Sequence, residues 1–277
     1  MKRARRKRLT PVCGQQVTGS QEIGKKGTLR QMAYGMVSAW TWLEMSLIVI
    51  VGVILQCVVA LVSYPFDPTR KLAGRWFRSM GVLGAKLAPT WRFSVWGAYP
   101  GRLNPPAVVV SNHLSLADVF LIAHLPWEMK WLSKSSIMRL PFFGWAMRLA
   151  GDIPLERGTA DSARQAMDRC ADYLRRGMSV FIFPEGTRSR TPELLPFKDG
   201  AFRLAIETQT DILPLAVQGT EVALPKHSWL FGTANAVVTV GERISTAGLT
   251  LDDLESLKEK TRERIVALRS QIHLGAG

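Results

Sequence analysis

Met45–Tyr64 is a run of twenty residues without a charged side chain, broken only by the polar Ser46, Gln56 and Ser63. At about 1.5 Å per residue a helix of this length spans about 30 Å, the thickness of a bilayer's hydrocarbon core. Trp40 and Trp42 stand before it and Tyr64 ends it, where interfacial aromatics anchor membrane helices. The run is apolar all round, so it does not read as an amphipathic helix of a soluble core. It starts late and is long for a signal-peptide core, and no small-x-small site follows cleanly before Pro65, so we expect it to be retained. The chain then divides into a basic, disordered tail over residues 1–35, a membrane-associated helical segment over 36–95, and a catalytic domain over 96–277.

Charge supports that division. Residues 1–100 hold 15 Lys and Arg against 3 Asp and Glu, whereas residues 101–277 hold 21 against 19. A basic front end seeks an anionic polymer or an anionic membrane. Lys2–Arg8 alone would fit a nucleic-acid arm, but the apolar run and the balanced remainder point to anionic lipid and away from nucleic acid. Both flanks of the run are basic: Lys2 to Arg30 before it, and Arg70, Lys71, Arg75, Arg78 and Lys86 after it. By the positive-inside rule both flanks stay cytoplasmic, which one simple crossing does not allow. The spacing therefore predicts a re-entrant or interfacial hairpin, with Pro65–Pro68 as its turn and Lys71–Leu87 as a helix on anionic headgroups. The three cysteines, Cys13, Cys57 and Cys170, are odd in number and scattered, which fits a reducing compartment rather than a disulfide framework.

The domain reads as α/β, a central mixed sheet flanked by helices. Strand-like runs cover Val108–Ser111, Lys130–Leu132, Ser179–Phe183, Ile212–Val217 and Ala236–Val240, and helical patterns cover Thr159–Arg176 and Asp252–His273. The first run delivers Ser111-Asn-His-Leu-Ser-Leu-Ala-Asp118 to its C-terminal end, where open α/β sheets carry their sites. Within one helix, residues five apart point about 140° away from each other. With His113 in the turn and Asp118 in the first turn of a helix over Asp118–His124, opened by a Ser115–Asp118 capping box, the carboxylate reaches the imidazole. That fixes the tautomer and frees the other ring nitrogen as a general base. The run Ser179–Phe183 empties into Pro184-Glu-Gly-Thr-Arg-Ser-Arg190, whose arginine forks, hydroxyls and glycine suit a phosphate monoester.

Asn112-His113-x4-Asp118 followed by Phe183-Pro-Glu-Gly-Thr-Arg-Ser189 resembles the glycerophospholipid acyltransferases, in particular the 1-acyl-glycerol-3-phosphate acyltransferases. Gly151-Asp-Ile-Pro-Leu-Glu-Arg157 and Ile212-Leu-Pro-Leu-Ala-Val217 are similar to two further blocks of that family, and Lys134 and Pro141–Gly144 stand where its members carry a lysine and a Pro-x-x-Gly. The resemblance covers roughly residues 65–245. It implies a glycerol-phosphate acyltransferase-like fold behind an N-terminal membrane helix or helical hairpin. It implies His113 and Asp118 as the catalytic pair, and Arg188 with Glu185, Gly186 and Thr187 as the phosphate site, joined by Arg157 as a second cation. The implied reaction transfers an acyl chain from an acyl thioester, acyl-CoA or acyl-carrier protein, to the free hydroxyl of lysophosphatidic acid, giving phosphatidic acid at the cytoplasmic face of the inner or plasma membrane.

The residues leave other readings open. A histidine beside a strand is more often structural than catalytic, and Arg157 alone could be an ordinary surface arginine. Lys134 and Lys198 read as solvent-facing, and His124, His227 and His273 as structural. No His/Cys/Asp cluster has metal-ligand spacing, so neither metal nor cofactor is expected. No Gly-x-Ser-x-Gly elbow is present, which argues against a serine hydrolase. Rival readings are another acceptor, glycerol-3-phosphate or a lyso-ornithine lipid, and, least favoured, a basic membrane- or nucleic-acid-binding module without catalysis.

Overall fold

The computed structural model describes residues 20–189, 191, 193–225 and 228–274, with side chains described from residue 31 to residue 271. Residues 1–19, with Cys13, and also Arg190 and His227 lie outside the described residues, as does the side chain of His273.

Helix α1 covers Ser20–Ser63 and α2 covers Lys71–Leu87. The apolar run thus forms the second half of a longer helix, which starts inside the stretch expected to be disordered. A helix nucleated by an apolar segment extends at little cost into flanking Gln, Glu, Lys and Arg, all good helix formers. Pro65–Thr69 makes the expected turn. The Ser63 carbonyl accepts from the Phe66 and Asp67 amides, both at 2.9 Å. Asp67 Oδ2 accepts from the Leu72 amide at 2.7 Å, satisfying a free donor at the start of α2.

Seven strands follow among the described residues: β1 (Trp91–Trp96), β2 (Val108–Ser111), β3 (Lys130–Lys134), β4 (Ile153–Leu155), β5 (Val180–Ile182), β6 (Ile212–Gln218) and β7 (Ala234–Val240). They form one mixed sheet in the order β1-β7-β6-β2-β5-β3-β4. Only the β6–β7 junction is antiparallel; the other neighbours run parallel. The helices among them are α3 (Asp118–Ile122), α4 (Phe143–Ala150), α5 (Ala160–Arg175), α6 (Gly200–Glu207) and α7 (Leu254–Leu274).

The central strand β2 is buried at every position, as its unbroken Val-Val-Val run requires. Its side chains alternate between two cores. Val108 and Val110 pack with Cys170 and Leu174 of α5, Phe202 of α6 and Ile265 of α7. Val109 packs on the other face with Leu121 and Ile122 of α3. The α1–α2 hairpin covers that second face together with α4. It is fastened there by polar bonds as well as apolar packing. Gln56 Nε2 donates to the carbonyls of Ala73 and Ala146, each at 3.0 Å, and Trp76 Nε1 donates to Gly52 O at 2.9 Å. Near the front of α1, Ser38 Oγ accepts from the Phe231 amide at 2.9 Å. Among the described residues one helical segment, Gln31–Ser63, is long and apolar enough to cross a membrane, and 17% of its most apolar window is buried within the protein.

Candidate active site

The parallel strands β2, β5 and β6 end on the same edge of the sheet, and the site lies in the loops beyond them. The loop after β2 carries His113. Its Nδ1 lies 2.7 Å from Asp118 Oδ2. The same carboxylate oxygen accepts from the Leu114 amide at 2.7 Å and the Ser115 amide at 3.1 Å, and Oδ1 accepts from the Thr220 hydroxyl. Asp118 is fully buried, so these donors replace the water it loses. The carboxylate assigns the Nδ1 position to the proton and leaves Nε2 with its lone pair. Nε2 has no bonding partner among the described residues.

The capping box is half formed. Asp118 accepts from the Ser115 amide as expected. The Ser115 hydroxyl, however, accepts from Ala117 N at 3.2 Å and donates to Leu224 O at 3.1 Å, instead of bonding the Asp118 amide. The competing carbonyl of Leu224 is remote in sequence, so the local pattern could not reveal it. The helix that follows is also shorter than expected, ending at Ile122 rather than His124.

The turn after β5 closes over this loop. Phe183 stacks on the His113 ring, with centroids 3.9 Å apart and planes 17° from parallel. Glu185 is buried at 3% exposure; its Oε1 accepts from the His113 amide at 2.8 Å and its Oε2 from the Leu195 amide at 2.9 Å. Burial pushes its carboxyl above the usual range, and these two amides pull it back. The Ser189 amide returns to His113 O at 2.8 Å. Glu185 therefore ties the two loops together through backbone amides, where the sequence reading gave it a share in holding the substrate.

Gly186 has φ +67°, the left-handed region that a side chain resists. A β-carbon there would stand 2.9 Å from Lys198 Cε and 3.0 Å from its Nζ. Thr187 is exposed and Arg188 half-buried, without an ion pair among the described residues. Arg188 and Lys198 thus flank one turn, adjacent to the His113 loop across a single strand step. Arg157, exposed two residues beyond β4, stands on the same sheet edge three strand steps from β2, about 14 Å by strand spacing. Lys134 ends β3, exposed, two steps away.

Three further residues stand at or beside the site outside the sequence-predicted set. Thr220, which holds Asp118, follows β6; the only signal is a hydroxyl just past a strand ending on the same edge. Lys198, read as solvent-facing, is exposed yet lies over Gly186. Asn112, part of the motif, donates to Val217 O at 2.9 Å and accepts from its amide at 2.8 Å, pinning the catalytic loop to β6. His124 donates toward Phe120 O at 2.9 Å and burial lowers its pKa, consistent with the structural role expected. Among the described residues no three His, Cys, Asp or Glu groups converge where a metal ion could sit.

Beside the site, between the hairpin and the sheet, lies a largely apolar cavity of 530 Å³. Met45 and Val49 of α1, Phe77 and Met80 of α2, and Phe120 of α3 line it, and Leu116 of the His113 loop is on its wall.

An imidazole held by a buried carboxylate, beside a cation-flanked turn and an apolar cavity, is suited to acyl transfer, and comparison with known proteins gives the class directly. The Acyltransferase family model matches residues 92–218. The 1-acyl-sn-glycerol-3-phosphate acyltransferase alpha of Mus musculus is 33% identical over 71% of this chain and 71% of its own length. The chloroplast 1-acyl-sn-glycerol-3-phosphate acyltransferase of Arabidopsis thaliana is 35% identical over 62% of this chain and 49% of its own. The chain thus spans about half the length of that relative. The crystal structure of the 1-acyl-sn-glycerophosphate acyltransferase of Thermotoga maritima shares the fold, with a TM-score of 0.75 over 90% of this chain and 98% of that one, at 20% identity. The chain belongs to the acyltransferase family.

Proposed function

We propose that this chain is a 1-acylglycerol-3-phosphate O-acyltransferase, converting lysophosphatidic acid and an acyl thioester into phosphatidic acid and a free thiol. The observation that carries the reading is the His113–Asp118 pair, with Nε2 open, one strand step from the Gly186–Arg188 turn. His113 Nε2 takes the proton from the acceptor's free hydroxyl as that oxygen attacks the thioester carbonyl. Buried Asp118 supports the imidazolium that forms. The tetrahedral intermediate collapses, the carbon–sulfur bond breaks, and the thiolate recovers the proton from His113. The acceptor supplies its own nucleophilic oxygen, so no serine or cysteine of the protein need be acylated.

Arg188 grips the acceptor phosphate, helped by the Thr187 hydroxyl and the open backbone at Gly186, with Lys198 as a nearby second cation and Arg157 further along the edge. Glu185 acts by positioning His113 rather than by touching substrate. The apolar cavity takes an acyl chain. The hairpin keeps this machinery at the cytoplasmic face of a membrane, where both acceptor and product dissolve and where thioester donors are available. In support, α2 exposes a mixed face of Lys71, Leu72, Arg75, Leu83 and Lys86, which suits anionic headgroups. Arg78, one of the basic residues that follow the apolar run, instead bonds buried Asp152.

Acyl transfer by the purified, detergent-solubilised chain, with acceptors and donors varied in turn, tests this. Lysophosphatidic acid should be acylated far faster than glycerol-3-phosphate or a lyso-ornithine lipid. Transfer to the phosphate-free acceptor at an equal or higher rate would overturn the acceptor assignment, and no transfer to any acceptor would overturn the reaction. The two donor arms, acyl-CoA and acyl-carrier protein, decide the thioester.

A further inference from the structure

A second cavity, of 610 Å³, opens beyond the edge strand β4, between the hairpin turn, the loop after β3 and helix α5. It is lined by Arg70, Arg139, Arg148, Arg169 and Arg176, against two carboxylates, Asp152 and Asp172. Both carboxylates already have cationic partners, although Asp152 Oδ2 is buried without a hydrogen bond. Asp152 accepts from Arg78 and, at 3.1 Å, from the Trp131 amide. Asp172 pairs along its own helix with Arg176 at 2.9 Å and Arg175 at 3.8 Å. Arg70, Arg148 and Arg169 make no ion pair among the described residues. Exposed arginines around one recess raise its positive potential and favour an anion there.

Two further observations point to a ligand and to its source. Arg70 has φ +55°, a left-handed conformation that a non-glycine residue adopts at a cost. Its guanidinium is held at the cavity by a 2.7 Å bond to Arg148 O. Exposed apolar side chains lie close along the chain to two groups of its lining residues. Tyr64 and Phe66 of the hairpin turn are 79% and 88% exposed, and Leu140, Phe142 and Trp145 are exposed next to Arg139 and Arg148. Aromatic and aliphatic side chains flanking a cationic recess match the headgroup layer of a bilayer, where rings sit at the interface and phosphates just above.

We propose that this recess is a second phosphate site, separate from the catalytic one, which holds the headgroup phosphate of an anionic phospholipid. Its guanidinium forks grip the phosphate oxygens while the flanking side chains rest in the interface. It anchors the β4 edge of the domain to the membrane beyond what the hairpin achieves. The inference rests on the membrane placement proposed above and not on the chemistry at His113.

Native mass spectrometry of the full detergent-solubilised chain, titrated with dioctanoyl phosphatidic acid, counts the bound lipids. Wild type should bind two. The Arg148→Gln/Arg169→Gln variant should bind one, with affinity at the lost site down about thirtyfold for two arginines near a lipid phosphate and with kcat unchanged. Arg188→Gln should lose the other lipid and keep this one. Arg148→Lys/Arg169→Lys, which retains the charge, should restore most of the binding, excluding a mere folding defect. An unchanged second adduct in the glutamine variant overturns the proposal, as does equal binding of dioctanoyl phosphatidylcholine. Displacement by inorganic phosphate at similar concentration would make the recess a free-phosphate site, and displacement by coenzyme A would assign it to the donor. Flotation of wild type on phosphatidylcholine vesicles checks the hairpin independently; failure there would sink the membrane reading and leave the adduct count intact.

Discussion

His113 is fixed from several directions at once: its ring by Asp118 and Phe183, its amide by Glu185, its carbonyl by Ser189. A general base must sit within hydrogen-bond reach of its proton in one tautomer, so each of these contacts bears on rate. His113→Ala should abolish transfer while leaving the fold intact. Asp118→Asn should slow turnover by about 10⁴, the cost of a wrong tautomer in a comparable imidazole–carboxylate pair. Retention of more than a few per cent of activity in His113→Ala would remove the general-base assignment. Glu185→Gln makes a subtler prediction. A carboxylate accepts both amides, but a carboxamide faces one of them with its own N–H. The unpaired amide should cost about 1–3 kcal/mol of stability, and the loosened loop should lower kcat while leaving the acceptor KM near its wild-type value. A raised KM with kcat unchanged would return Glu185 to the substrate-binding set. The His113–Asp118 pair was legible in sequence because five residues and one turn contain it. Thr220 and Lys198 were not, because their partners lie 102 and 12 residues away and meet only once strands are ordered.

Most elements with an unbroken apolar run or a clear helical spacing were legible. Val108–Ser111 and Lys71–Leu87 have the bounds expected, and β5, β6 and α5 differ at their ends by one residue each. Elements whose pattern is short or mixed were not read. β1 alternates exposed Arg92 with aromatic residues, β4 has three residues, and α4 and α6 have eight each, too few for a helical period to stand out. The close packing of α2 was also hidden. A β-carbon on Gly74 would lie 1.9 Å from Glu128 Oε1, a buried carboxylate that cannot swing away freely. Helix propensity alone favours Gly74→Ala by about 1 kcal/mol. Overpacking of a filled interior costs about 1–3 kcal/mol and should win, so the variant should unfold at lower temperature than wild type. A rise in melting temperature would mean that α2 and Glu128 do not approach as closely as they do here. The hairpin also predicts that both ends of the chain face the cytoplasm. After replacement of the three native cysteines, Ser20→Cys and Ser245→Cys should both resist an impermeant thiol reagent in intact cells and react once the membrane is opened. Labelling of position 245 alone in intact cells would establish a single crossing with an external domain, and would sink the cytoplasmic placement.

At the scale of the whole molecule, hairpin and sheet are joined by a buried ionic network that no periodicity could announce. Lys130, at the head of a run read only as strand-like, is fully buried. Its ammonium donates to Glu128 at 3.0 Å, Ala150 O at 2.7 Å and Arg70 O at 3.1 Å, linking β3 to α4 and to the head of α2. Arg78 of α2 reaches Asp152 alongside. Burial lowers the Lys130 pKa and raises that of Glu128, where Arg78 first and Lys130 next pull it back. Such a network fixes one docking geometry more than it adds stability, since charges taken out of water repay little of their desolvation. Breaking it is another matter. Lys130→Met strands Glu128, and losing one partner of a buried pair costs about 3–5 kcal/mol. The cost depends on pH, with a definite sign. Without Lys130 the folded pKa of Glu128 rises further above its unfolded value. At pH below the unfolded carboxylate range both states carry the proton, and this part of the deficit vanishes. As pH rises towards the folded pKa, the unfolded chain releases the proton while the folded one keeps it, so stability falls by up to about 1.4 kcal/mol per pH unit. The melting temperature of Lys130→Met should therefore lie closer to wild type at pH 4.5 than at pH 8. Glu128→Gln/Lys130→Met, which has no carboxylate to strand, should lose that pH dependence. A deficit for Lys130→Met that is the same at both pH values would trace the damage to the orphaned carbonyls of Arg70 and Ala150, and Glu128 would not be the residue that commits hairpin and sheet to one another.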